Sequence, residues 1–212
     1  MKRLIVIALA LAELSLANAQ KVTEKHINFE GKKNLRLNIS IADSIQLETW
    51  KRSEVYILSS VLVNSGKDND AYTITYKEEE GVLSIDAGFS EKYFKGRKCC
   101  CDSSSISWKI IMPENLNLEL ETIDGNITLS GKTTSARIKT VSGFVDLSLP
   151  MVSNADVDFS TVTGTVYSNW DLSTGNKNGT SLPVKVAKRI NDGGHLFRVE
   201  TVSGDIFFRK TE

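Results

Sequence analysis

Along most of this chain, apolar and polar residues alternate with a period of two, the pattern of a strand with one face in a core and the other in water. Ile127 and Leu129, or Val145 and Leu147, mark such inward faces in the second half. In the first half the alternation predicts strands at Asn34–Ile41, Ser44–Thr49, Val55–Val63, Ala71–Lys77, Val82–Ala87 and Ser105–Met112. Polar clusters at Gly66-Lys67-Asp68-Asn69-Asp70 and Glu78-Glu79-Glu80-Gly81 separate them as turns. No segment after residue 20 keeps a helical period, so the expected class is all-β.

The second half repeats itself. Aligned on a glycine, Glu121–Leu129, Lys139–Leu147, Ser160–Ser168 and Glu200–Phe208 share the form Thr-[Ile/Val]-[Asp/Ser/Thr]-Gly-x-[Ile/Val]. Gly125, Gly143, Gly164 and Gly204 lie 18, 21 and 40 residues apart, so the last gap holds about two periods. Thr, Val and Ile suit a pleated, half-buried surface. The polar-Gly centre reads as a bend whose backbone takes conformations other residues avoid. A unit of strand, bend and strand every 20 residues or so predicts a β-solenoid-like stack, with coils about 4.8 Å apart covering each other's apolar faces. The alternative is an antiparallel β-sandwich of ordinary hairpins, which the strand spacing also fits. It leaves the recurrence of the motif unexplained.

The first residues change the picture of where this domain works. Met1-Lys2-Arg3, an apolar run from Leu4 to Ala12 and the small residues Ala17 and Ala19 form the three parts of a secretory signal peptide, residues 1–19. Glu13 interrupts the run too early for a spanning helix. No cysteine stands near the cleavage point to carry a lipid. The expected product is a single β-repeat domain, 20–212, less regular over 20–107 and clearly repeated over 108–212. It is expected to be exported, to the periplasm, cell surface or extracellular space, with no membrane insertion after cleavage. Removing Lys2, Arg3 and Glu13 with the leader leaves 24 basic and 25 acidic residues. That balance lacks the basic footprint nucleic acid requires.

Candidate chemistry is sparse. Cys99, Cys100 and Cys101 are adjacent, so they supply at most one strained bridge within the chain and are read as disulfide or partner-linking thiols. They lie in a basic stretch, Glu91–Ser105, that with Asp171–Gly179 reads as a projecting loop. His26 and His195 are single histidines, and no Gly-x-Ser-x-Gly elbow accompanies them. Ser142 and Ser203 belong to the repeat's turn. Asp124, Asp146 and Asp205 read as solvated strand residues, and Asp68-Asn69-Asp70 is too short for a calcium loop. No catalytic residue, metal site or cofactor is expected. Trp170, beside the Asp171–Gly179 loop, is either a sugar- or partner-facing aromatic or a cap on the end of the stack. Phe207-Phe208 reads as buried in the last coil.

The stretch from Trp108 to Leu129, with Lys188–Phe208 at the end of the chain, resembles the bacterial putative-adhesin family. Thr-Val-x-Gly-[Asp/Asn]-Ile units and an Ile-Asn-Gly-Gly-Gly segment characterise that family. Here Asp192 replaces the first glycine of the triplet, and Thr165 stands where the third repeat would carry an acid or amide. The resemblance spans about residues 30–210 and implies an envelope-facing β-solenoid-like domain without an assigned active site. The expected function is a non-enzymatic adhesin-like or scaffold protein of the cell envelope. Its partners would be a surface polysaccharide, a protein or its own copies. The alternatives are a carbohydrate-active enzyme on the same scaffold and an accessory in envelope stress signalling.

Overall fold

A computed structural model describes residues 20–95, 103–151, 154–172 and 183–211. The expected leader and the Cys99–Cys101 thiols lie outside the described residues, as does all but the first two residues of the Asp171–Gly179 loop.

The chain is built from β1 (Lys21–Asn28), β2 (Asn34–Ile39), β3 (Ile41–Trp50), β4 (Glu54–Val63), β5 (Tyr72–Glu79), β6 (Val82–Phe89), β7 (Ser104–Pro113) and β8 (Asn117–Ser130). It continues with β9 (Ser135–Ser142), β10 (Val145–Pro150), β11 (Ala155–Thr161), β12 (Val166–Ser168), β13 (Val184–Ile190), β14 (His195–Ser203) and β15 (Ile206–Thr211). A single helical turn, α1 (Glu91–Phe94), follows β6 where the sequence predicted only loop.

These strands form two walls. The first runs β5, β6, β2, the first half of β8, β9, β14, β11, β13; the second runs β1, β4, β7, β3, the second half of β8, β10, β15, β12. Strand β8 belongs to both, because it bends at Gly125. Each rung of the stack is therefore one strand in each wall joined at a corner.

The inward stripes explain why the walls close on each other. In the first wall Ile85, Leu37, Leu120, Ile138, Val199 and Phe159 stand in register, each almost fully buried. Facing them in the second wall are Ile110, Leu47, Leu129, Leu147 and Phe208. Phe159 and Phe208 meet across the core at 5.3 Å between ring centres. Full burial of one such side chain contributes about 2 kcal/mol.

The four glycine copies stack, as the solenoid expectation required. Parallel ladders join the repeats in both walls. Antiparallel pairing is confined to the ends, at β1–β4–β7, β5–β6 and β11–β13, so the sandwich alternative fails. Two details differ from the sequence reading. The spatial order is Gly125, Gly143, Gly204, Gly164: the last copy in the chain lies between the second and third. Among the described residues of the 40-residue gap, the element between β12 and β14 is β13, an antiparallel strand that edges the first wall. The N-terminal half does the same thing, since the β6/β7 rung fills the space between β4/β5 and β2/β3.

The reason for glycine also differs. Of the four, only Gly143 has a positive φ, +98°. What the others share with it is crowding. A Cβ on Gly143 would strike the Gly125 carbonyl, one on Gly204 the Gly143 carbonyl, and one on Gly164 the Gly204 carbonyl. Corners packed at rung spacing leave no room for a methyl group. The motif's threonine ties the same corner together from inside. The buried Thr122 hydroxyl donates to the Asp124 carbonyl at 3.2 Å with that of Ser40 as the alternative acceptor, Thr140 donates to that of Ser142, and Thr161 to that of Gly204.

A candidate binding groove beside the glycine corner

Strand alternation decides which motif residues reach the surface. With Leu120 and Thr122 turned inward, Glu121 and Ile123 must turn outward. The same parity recurs at Lys139 and Val141, Glu200 and Val202, and Ser160 and Val162. The consequence is a row of aliphatic side chains left in solvent: Ile123, Val141, Val202 and Val162 are 57%, 48%, 47% and 43% exposed. The ladders Thr122–Thr140–Thr201–Thr161 hold these four on successive levels, spanning about 14 Å at the usual strand spacing. Single exposed aliphatics are ordinary, whereas a contiguous row marks a contact surface.

Beside the row runs a groove of about 850 Å³, extending from Asn38 and Ser40 to Lys185. Its other margin is polar. In stacking order it reads Asn38, Glu121, Lys139, Glu200, Ser160, Lys185. Lys139 pairs with Glu121 at 3.3 Å, and Arg198, also lining the groove, pairs with Asp158 at 2.7 Å. Glu121 and Glu200 stand two levels apart with Lys139 between them, both exposed. The volume suits an elongated ligand or a partner's side chains.

A second surface, on the outside of the second wall, is aromatic and largely self-satisfied. Tyr167 stacks on Phe207 at 5.2 Å, Phe144 meets Phe207 edge-on at 6.1 Å, and the Arg209 guanidinium lies 5.4 Å from the Phe207 ring. Tyr167 covers one face of Phe207, while Tyr167 and Phe144 themselves stay 49% and 37% exposed. Beneath them Asp146 pairs with Arg209 at 3.0 Å. Burial raises the Asp146 carboxyl above its ordinary range, with Arg209 opposing the shift.

The residues singled out from sequence do not converge. His26 lies on β1, 4.8 Å from the Tyr56 ring, while His195 Nδ1 sits 2.8 Å from the Thr134 carbonyl oxygen at the opposite corner from the glycines. Asp205 accepts from the Thr165 amide at 2.8 Å. Asp68, Asn69 and Asp70 turn to three separate partners: the Asn64 side chain, the Val63 amide and Lys21. Trp170 is 8% exposed and stacks on Phe208 at 5.5 Å, with the Lys210 ammonium 4.9 Å from its ring. It closes the end of the core. Among the described residues no group of three or more His, Cys, Asp and Glu side chains could hold a metal ion.

The groove's own residues were missed because the motif's Val and Ile were read only as strand formers. The available signal was parity: each follows an inward threonine by one position.

The architecture has relatives. A putative cell adhesion protein from Clostridium sporogenes superposes with a TM-score of 0.62 at 11% identity, over 91% of this chain and 100% of that one. A putative adhesin from Parabacteroides distasonis matches 90% of this chain and 71% of its own at 10% identity, with a TM-score of 0.32. A putative adhesin from Bacteroides fragilis gives 6% identity and a TM-score of 0.24 over 90% of this chain and 98% of that one. No curated protein sequence matches the chain. The sequence profile described as Toastrack DUF4097 matches residues 10–208, nearly the whole chain, and this protein belongs to that family.

Proposed function

We propose that this is an exported, non-enzymatic binding protein of the cell envelope, an adhesin-like or scaffold component. It engages a surface component, protein or polysaccharide, along the groove beside the glycine corner. The observation that carries this reading is the solvent-exposed row Ile123–Val141–Val202–Val162 on a rigid ladder. Four neighbouring rungs repeat an exposed aliphatic where folding alone would favour a polar residue. The leader predicted at residues 1–19 supports export, and the adhesion-protein relatives are in keeping with a binding role.

The test is a glycan array and a whole-cell binding assay on cells of the source bacterium, using labelled mature chain (residues 20–212). The comparison is the double variant Val141→Asp with Val202→Asp. Both positions are exposed, so the variant should melt within about 1 kcal/mol of the parent while losing at least tenfold in binding. Undiminished binding by the double variant would remove the groove from the mechanism. No binding to any glycan or cell would count against the role.

A further inference from the structure

We propose that the groove takes a second copy of this chain, docked corner to corner with the two stacks running in opposite directions. This rests on the reading of the groove as the binding face and names its occupant. Register selects the arrangement. Consider a two-fold axis lying across the groove midway between the Val141 and Val202 levels. It lays Ile123 on Val162 of the second copy and Val141 on Val202, so every member of the aliphatic row meets an aliphatic. The same operation sets Lys139 opposite Glu200 and Glu200 opposite Lys139, two charge matches from one symmetry, as an isologous contact requires. Glu121 faces Ser160, Asn38 faces Lys185, and no like charges meet in that row.

Neighbouring registers are worse. With the axis on the Lys139 level, Lys139 faces itself and Glu121 faces Glu200. With it on the Glu200 level, Glu200 faces itself. With it midway between Glu121 and Lys139, those two match, but Val202 falls on Ser40 and Val162 loses its aliphatic partner. One row further from the corner the chosen register brings Glu119 toward Asp158 and Arg137 toward Arg198. Asp158 and Arg198 line the groove but neutralise each other at 2.7 Å, and Glu119 is paired with Arg36 at 3.0 Å, so this row opposes the corner-row matches only weakly. A patch of this size belongs to the weak, reversible end of protein interfaces. Its charge component makes it weaker in salt.

The test is sedimentation velocity of residues 20–212 over a concentration series into the high micromolar range, at low and high salt. The expected result is a concentration-dependent dimer that salt weakens. Lys139→Glu and Glu200→Lys should each weaken self-association about tenfold or more by placing like charges together. An equimolar mixture of the two variants should recover most of the affinity, because positions 139 and 200 are again oppositely charged at both contacts. A merely structural role for either residue would not produce recovery on mixing. Thermal melts of each variant confirm that it is folded. A chain that stays monomeric throughout overturns the proposal, as does a dimer indifferent to both reversals or a mixture that recovers nothing. A monomer that still binds cells or glycans overturns this inference alone; a dimer that binds neither overturns the proposed function and leaves the inference standing.

Discussion

Substituting Gly204 by alanine adds one methyl group where two corners are in contact. The new Cβ would fall well inside van der Waals contact of the Gly143 carbonyl oxygen and lie 3.3 Å from the Thr201 hydroxyl oxygen. Backbone cannot rotate aside as a flexible side chain can, so the rungs must part locally by about 1 Å, by the ordinary sizes of carbon and oxygen. The bonds that hold this corner are Val145 N–H to Asp205 at 3.0 Å, Ile206 N–H to Thr165 at 2.9 Å, and the Thr161 hydroxyl to Gly204 at 2.9 Å. Weakening two or three of them at about 1 kcal/mol each, with an overpacking cost of about 1–3 kcal/mol, gives about 3–6 kcal/mol. For a domain of this length that lowers Tm by about 6–24 °C. Gly31→Ala is the control: its Cβ would meet nothing within 4 Å, and only its φ of +76° opposes alanine, at about 1–2 kcal/mol. Urea melts of residues 20–212 with both substitutions measure the difference. If Gly204→Ala costs no more than Gly31→Ala, the crowding account of the motif glycine is wrong.

Two further outcomes follow from the core. Burial pushes the Tyr72 hydroxyl up to about 12 from 10.0, while it donates to the Ile41 carbonyl at 3.1 Å. Its stabilising effect is therefore complete below pH about 10 and lost as pH rises through about 12, a loss on the order of 2–3 kcal/mol. Tyr72→Phe should cost about 1 kcal/mol at pH 8, then fall less steeply than the parent between pH 10 and 12 in urea melts; parallel curves would sink this. Trp170→Ala should cost about 3 kcal/mol by uncovering Phe208, and a loss under 1 kcal/mol in the same melts would mean that the indole is not a lid on the core.

The sequence made the repeated half legible because its buried stripes are monotonous: Leu120, Ile138 and Val199 each fit either neighbouring rung. That monotony is also why spatial order escaped a linear reading. Nothing local distinguishes the Gly204 copy as the neighbour of Gly143, since stacking depends on contacts between segments 60 residues apart. The non-repeated half was readable as strands but not as rungs. Its pairing partners, β6 with β2 and β7 with β3, share no motif. For the candidate site, Trp170 drew attention by its size and loop setting, and the contact with Phe208 lies across 38 residues of chain. The exposed row was written in the motif all along, and needed only the inward threonines to fix its direction.

The rung made by β14 and β15 leaves the ribosome after both of its neighbours, yet its place is between them. Until residues 195–211 arrive, β9 and β11 have no hydrogen-bonded partner on their facing edges, and Ile138 and Phe159 lack Val199 between them. Vectorial synthesis from the N-terminus therefore cannot finish the core progressively, and completion waits for residues 195–211. A chain truncated before His195 would lose an interior layer, not an end, and would be left with two sticky edges facing each other across the gap.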